Sequence, residues 1–113
     1  MDSFEKGRSL VEEGKYKEAV EVLNRVIEQN KNDANPLVFR AVAYIYLGDY
    51  QQAIRDCSEA IKQDSKNAEA YFNRGYAYSK LNEYQKAIED FKVAARFDLK
   101  EARDFLMSRG IPW

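Results

Sequence analysis

Arg40 and Arg74 are each followed, sixteen residues on, by an aspartate, Asp56 or Asp90. A guanidinium can grip a ligand carboxylate, or it can close a bidentate ion pair with an aspartate of its own chain. Each arginine precedes a small residue, Ala41 or Gly75, and across a helical hairpin the partners can meet. The ion pair is therefore the preferred reading, and if exposed it adds little stability. Cys57 is the chain's one thiol. As a nucleophile it would need a base, and the chain has no histidine. It falls in a column with Leu23 and Phe91, where a small apolar filler is expected. Carboxylates such as Glu89 and Asp90 are abundant, but on helices such groups solvate a face or pair with a base. The five glycines are scattered, with no loop to cradle a phosphate. No residue set assembles for catalysis, so the chain is expected to be no enzyme and to need no metal or cofactor.

The elements that carry these residues repeat. Tyr16-Lys17-Glu18-Ala19-Val20 matches Tyr50-Gln51-Gln52-Ala53-Ile54 and Tyr84-Gln85-Lys86-Ala87-Ile88, a period of 34. Gly14, Gly48 and Asn82 precede the three blocks, and Gly7, Ala41 and Gly75 form a second column of small residues. A fixed period of this length means a stack of two-helix units. First helices are expected near 2–13, 35–47 and 69–81, second helices near 16–29, 50–63 and 84–97. Glycine or asparagine tolerates the left-handed conformation that ends a helix, which suits Gly14, Gly48 and Asn82. Asp49 with Gln52 is expected to form a capping box, as is the stretch Asp98-Leu99-Lys100-Glu101. The small columns let paired helices approach, with Leu10, Tyr44 and Tyr78 filling space around them. Ala102, Phe105 and Leu106 share one face of a last helix over 100–109, which covers the end of the stack and stops at Gly110.

Lys plus Arg number 18 and Asp plus Glu 19, so no electrostatic footprint for nucleic acid or an anionic membrane is present. No apolar run has membrane-spanning length. The start, Met1-Asp2-Ser3-Phe4-Glu5, lacks signal-peptide character, and a single cysteine forms no internal disulfide, so a cytoplasmic setting is expected.

The pattern resembles the tetratricopeptide repeat family over nearly the whole chain. Tyr71, Arg74, Gly75, Tyr78, Tyr84, Ala87, Phe91 and Ala94 carry the resemblance in the third copy. Leu37, Ala41, Tyr44, Gly48, Tyr50, Ala53 and Ala60 carry it in the second, and Gly7, Leu10, Gly14, Tyr16 and Ala19 in the first. Lys31, Ser65 and Leu99 stand where such repeats often have proline. The resemblance implies an all-α fold, a right-handed α-solenoid of three helix-turn-helix repeats with a C-terminal capping helix. The chain reads as one domain over 1–113, with repeats 1–33, 34–67 and 68–101 and the capping helix and tail over 102–113. Many three-repeat members bind acidic C-terminal tails of cytosolic chaperones through a clamp of lysine, asparagine and arginine. The matching positions here are Phe4, Arg8, Phe39, Glu69 and Asn73, so the resemblance implies that this clamp is missing.

In stacked helix pairs the first helices line the concave side. Spacing turns Phe4, Glu5, Arg8, Val11 and Glu12 inward in the first copy. In the second it turns Asn35, Val38, Phe39, Val42 and Tyr46, and in the third Glu69, Phe72, Asn73, Tyr76 and Lys80. This face is unusually apolar. The expected site comprises Phe4, Arg8, Val38, Phe39, Val42, Tyr46, Phe72, Asn73 and Tyr76, binding an apolar peptide or amphipathic helix of another protein. The alternative is a self-associating scaffold, a homo-oligomer in which the tail Ile111-Pro112-Trp113 enters a neighbour's groove. Against that, Trp113 would fold back on Phe105 and Leu106.

Overall fold

The computed structural model describes residues 2–113. It contains α1 (Ser3–Glu12), α2 (Tyr16–Gln29), α3 (Ala34–Leu47), α4 (Tyr50–Gln63), α5 (Ala68–Lys80), α6 (Tyr84–Arg96) and α7 (Lys100–Ser108). No strand occurs among the described residues. The chain is an all-α solenoid of three helix-turn-helix units closed by a last helix. Each helix packs on the next, and α3 also touches α1 and α5, so the first helices form one continuous wall. The body measures 42 × 25 × 21 Å.

The turns within pairs repeat one geometry. Gly14, Gly48 and Asn82 have φ of 79°, 83° and 63°. After each, a backbone N–H reaches back to a carbonyl of the preceding helix: Lys15 to Leu10, Asp49 to Tyr44 and Glu83 to Tyr78, at 2.8–3.0 Å. These bonds satisfy carbonyls that a helix end leaves without partners. Asp98 has the same conformation at φ 71°, with Leu99 N–H donating to the Ala94 oxygen at 3.1 Å. Asp98 therefore ends α6 and does not cap α7, contrary to the capping box expected there. Its carboxylate instead accepts from Arg103 at 2.6 Å. The box expected at Asp49 is also missing, since that side chain makes no capping bond. The side-chain caps lie between the pairs and at the start. Asp2 accepts from Glu5 N–H, Asp33 from Asn35 N–H and Asn67 from Ala70 N–H.

The small columns do what close packing requires. Ala19, Ala41, Ala53 and Ala60 are fully buried. A Cβ on Gly7 would come within 2.5 Å of Leu23 Cδ2, and one on Gly75 within 2.9 Å of Phe91 Cε1. In the middle unit the same two columns hold Ala41 and Cys57, packed in one cluster. A large residue faces glycine at either end of the stack, and a small residue faces alanine between them. Interior volume is conserved within each pair although its members change.

Candidate functional site

Arg40 reaches Asp56 through two bonds, 2.8 Å from Nε and 2.6 Å from Nη2. Its Nη1 donates to Asn24 Oδ1 at 2.8 Å. Arg74 repeats the arrangement with both Asp90 oxygens at 2.9 Å and Ser58 Oγ at 3.2 Å. Each arginine thus bridges three helices, its own pair and the second helix of the preceding unit. The ion-pair expectation holds, and the third partner was not foreseen. Donation to Asp56 holds the Arg40 guanidinium above its ordinary range, and donation to Asp90 does the same for Arg74. Burial pushes the Asp56 carboxyl up, with Arg40 opposing. The Nε–Nη2 edge of each arginine is taken by an aspartate of its own chain, so neither offers that edge to a ligand carboxylate. Burial also pushes the Cys57 thiol far up, so it is a poor thiolate. No cluster of metal-ligating side chains occurs among the described residues.

The concave wall is the remaining surface of interest. Phe4 and Phe39 pack edge to face at 5.6 Å between ring centres, half-buried beside Leu10 and Val11. Tyr46 is 66% exposed and stacks on Tyr16 at 4.7 Å. Arg8 is exposed and pairs loosely with Glu12 at 3.6 Å. A shallow depression of about 200 Å³ lies between α3 and α5, lined by Val42, Ile45, Tyr46, Phe72, Asn73 and Tyr76. Five of the expected residues therefore share one hollow. Phe4, Phe39 and Arg8 lie outside it, toward the N-terminal end of the wall.

Val38 belongs elsewhere. It is 5% exposed and packs with Ala34, Leu37, Ala60 and Ala70, so it is core and not groove. Val11 is likewise buried. Val38 occupies the column of Phe4 and Phe72, but its side chain is short and Ala70 of the next unit closes over it. A ring in the same column is long enough to reach the surface.

A larger cavity, about 540 Å³, continues from the depression toward the C-terminal end. Phe72 and Tyr76 line both. The rest of its lining is Ser79 from α5, Tyr84, Ala87, Ile88 and Phe91 from α6, and Phe105 and Arg109 from α7. Sequence reasoning missed this cavity because it treated α7 as a lid. The available signal was the spacing of Phe105 and Arg109, one turn apart on one face.

The tail lies against its own chain. Ile111 packs on the cluster that contains Leu106 and Phe91. Arg96 donates to the Trp113 oxygen at 2.9 Å, and the Arg103 guanidinium stands 5.5 Å from the Trp113 ring centre. Trp113 thus folds back on its own chain, meeting Arg96 and Arg103. No described helix is long and apolar enough to cross a membrane.

Two family models described as tetratricopeptide repeat match the chain, over residues 40–104 and 10–55. The TPR domain of Arabidopsis OM64 is 33% identical, with 90% of this chain and 86% of that chain covered and a TM-score of 0.87. The second TPR of Spaghetti (RPAP3), solved with the HSP90 peptide SRMEEVD, is 30% identical. It covers 85% of this chain and 89% of its own, at a TM-score of 0.82. The second TPR domain of human RPAP3, solved with the HSP70 peptide SGPTIEEVD, is 28% identical with coverage of 97% and 93% and a TM-score of 0.86. A comparison with curated proteins finds no match.

Proposed function

The chain belongs to the tetratricopeptide repeat family, and on that premise we propose that it is a protein-interaction adaptor whose concave groove binds an apolar peptide or amphipathic helix. The observation that carries this reading is the hollow between α3 and α5, walled by Val42, Tyr46, Phe72 and Tyr76. Exposed apolar surface gathered in one concavity marks a binding site. The peptide-bound neighbours support a peptide as ligand. Tyr46 and Tyr76 are the exposed anchors, at 66% and 39%, so removing them spares the core. Tyr46→Ala/Tyr76→Ala is expected to weaken partner binding by about 2 kcal/mol or more, roughly thirtyfold. The check is recovery of a partner from cell extract followed by titration calorimetry. Unchanged affinity in a variant with native circular dichroism would remove the groove from consideration.

The ligand differs in kind from the acidic peptides solved with those neighbours. Phe4 and Phe39 fill two of the positions that the resemblance gives to a carboxylate clamp, ring against ring. Exposed Glu69 would repel a carboxylate at a third. The peptide SRMEEVD is expected to show no appreciable binding, since its terminal charges would lack partners. Micromolar, salt-sensitive heat in a calorimetric titration would overturn this expectation. The groove-and-tail exchange of a self-associating scaffold is the less favoured reading, because Trp113 is engaged by Arg96 and Arg103 of its own chain.

A further inference from the structure

The C-terminal cavity combines apolar walls with one uncommitted cation. Phe72, Phe91 and Phe105 come from three different helices and face the same space. The Arg109 guanidinium lies 4.1 Å from the Phe105 ring centre, at the edge of that space. Among the described residues its side chain has one hydrogen-bond partner, Ser108 Oγ at 3.3 Å, and no carboxylate pairs with it. No acidic residue lines the cavity. Lys80, which stands over the Tyr76 ring at 5.4 Å, is also without a carboxylate partner among the described residues. In a chain whose charges nearly balance, an apolar hollow lined by one cation and no acid is complementary to an apolar group beside an anion. The occupant is a protein segment, because Phe72 and Tyr76 form a wall shared with the groove. A segment lying in the groove reaches the cavity without leaving the surface.

Resting on the groove reading above, we infer that this cavity receives an apolar anchor of the groove's protein ligand, a leucine, methionine or aromatic side chain. Arg109 then reads an aspartate or glutamate within one helical turn of that anchor. The guanidinium stands 4.1 Å over the Phe105 ring, a contact that reduces the side-chain freedom to be lost when the carboxylate arrives. The acidic group sets register and specificity, and the anchor supplies most of the affinity.

The test is selection of random linear peptides displayed on phage against the full chain and three variants. The wild type should enrich sequences with an apolar anchor and a single acidic residue three or four positions away, without the run of acids and the end carboxylate of SRMEEVD that Glu69 repels. Ser79→Phe puts a ring into the cavity and should abolish that enrichment. Arg109→Gln should keep the anchor and lose the acidic preference. In calorimetry of the best peptide, Arg109→Gln and the peptide's own acid-to-amide change should each weaken binding roughly three- to tenfold, with little further loss when combined. Enrichment abolished by Tyr46→Ala but untouched by Ser79→Phe and Arg109→Gln would overturn the cavity assignment and leave the groove standing. No enrichment at all would overturn both. Should Ser79→Phe fail to fold, the exposed Arg109→Gln change decides the matter alone.

Discussion

Replacing Arg40 by methionine is expected to destabilise the fold by about 3–5 kcal/mol, the cost of leaving a buried carboxylate without its partner. Asp56 is 7% exposed and Arg40 20%, so solvent screens the pair little. The same change also strands Asn24 Oδ1, which accepts from Arg40 and ties the first unit to the second. Arg40→Met/Asp56→Leu should recover most of the loss, because removing both charges leaves no uncompensated group. The pH dependence has a definite sign. Burial raises the Asp56 carboxyl, and without Arg40 only the weaker pull of Arg55 opposes that rise. A carboxyl raised above its unfolded value favours the folded state when protonated, so the deficit of Arg40→Met should shrink as the solution is acidified. Urea unfolding of the wild type and the two variants at neutral and mildly acidic pH provides the measurement. A deficit below about 1 kcal/mol for the single variant would show that the pair behaves as a surface salt bridge.

Gly75→Ala is expected to be destabilising even though alanine is the better helix former by about 1 kcal/mol. The added Cβ would meet Phe91 Cε1 at 2.9 Å and the Ala87 carbonyl oxygen at 3.0 Å, a ring and a backbone atom. Overpacking of this kind costs about 1–3 kcal/mol. At Gly7 the added Cβ would meet Leu23 Cδ2 at 2.5 Å and Cγ at 2.7 Å, and Leu23 is fully buried, so Gly7→Ala should be destabilising as well. The middle unit offers the reciprocal experiment. Cys57→Leu would overfill the space that Ala41 leaves, and Ala41→Gly/Cys57→Leu should regain stability by recreating the pairing of Gly7 with Leu23. Thermal unfolding of the single and double variants measures the coupling directly. Strict additivity would mean that the two columns do not share one packing volume.

The period of 34, the helix positions and the turn residues Gly14, Gly48 and Asn82 were legible because each depends on nearest neighbours in sequence. A helical face follows from spacing alone, and a left-handed turn needs a residue that tolerates it. The spacing of Arg40 and Asp56 likewise announced their pairing across a hairpin. Asp98 was misjudged because aspartate suits both a helix start and a positive φ, and only the path of the following chain decides between them.

Depth was beyond the sequence. Val38 and Phe72 share a register, yet one is core and the other lines the groove, because exposure depends on side-chain length and on what the next unit places above it. The cavity at the end of the stack arises where α5, α6 and α7 fail to fill the space between them. A void is a property of three surfaces at once, and no local pattern encodes it. The sequence by itself therefore determined the repeat, the spacing of its helices and the left-handed turns inside each pair. Only the tertiary packing decided how deep each side chain lies, that Arg40 and Arg74 each take a third partner from the preceding unit, and that Arg109 is left over an open apolar hollow.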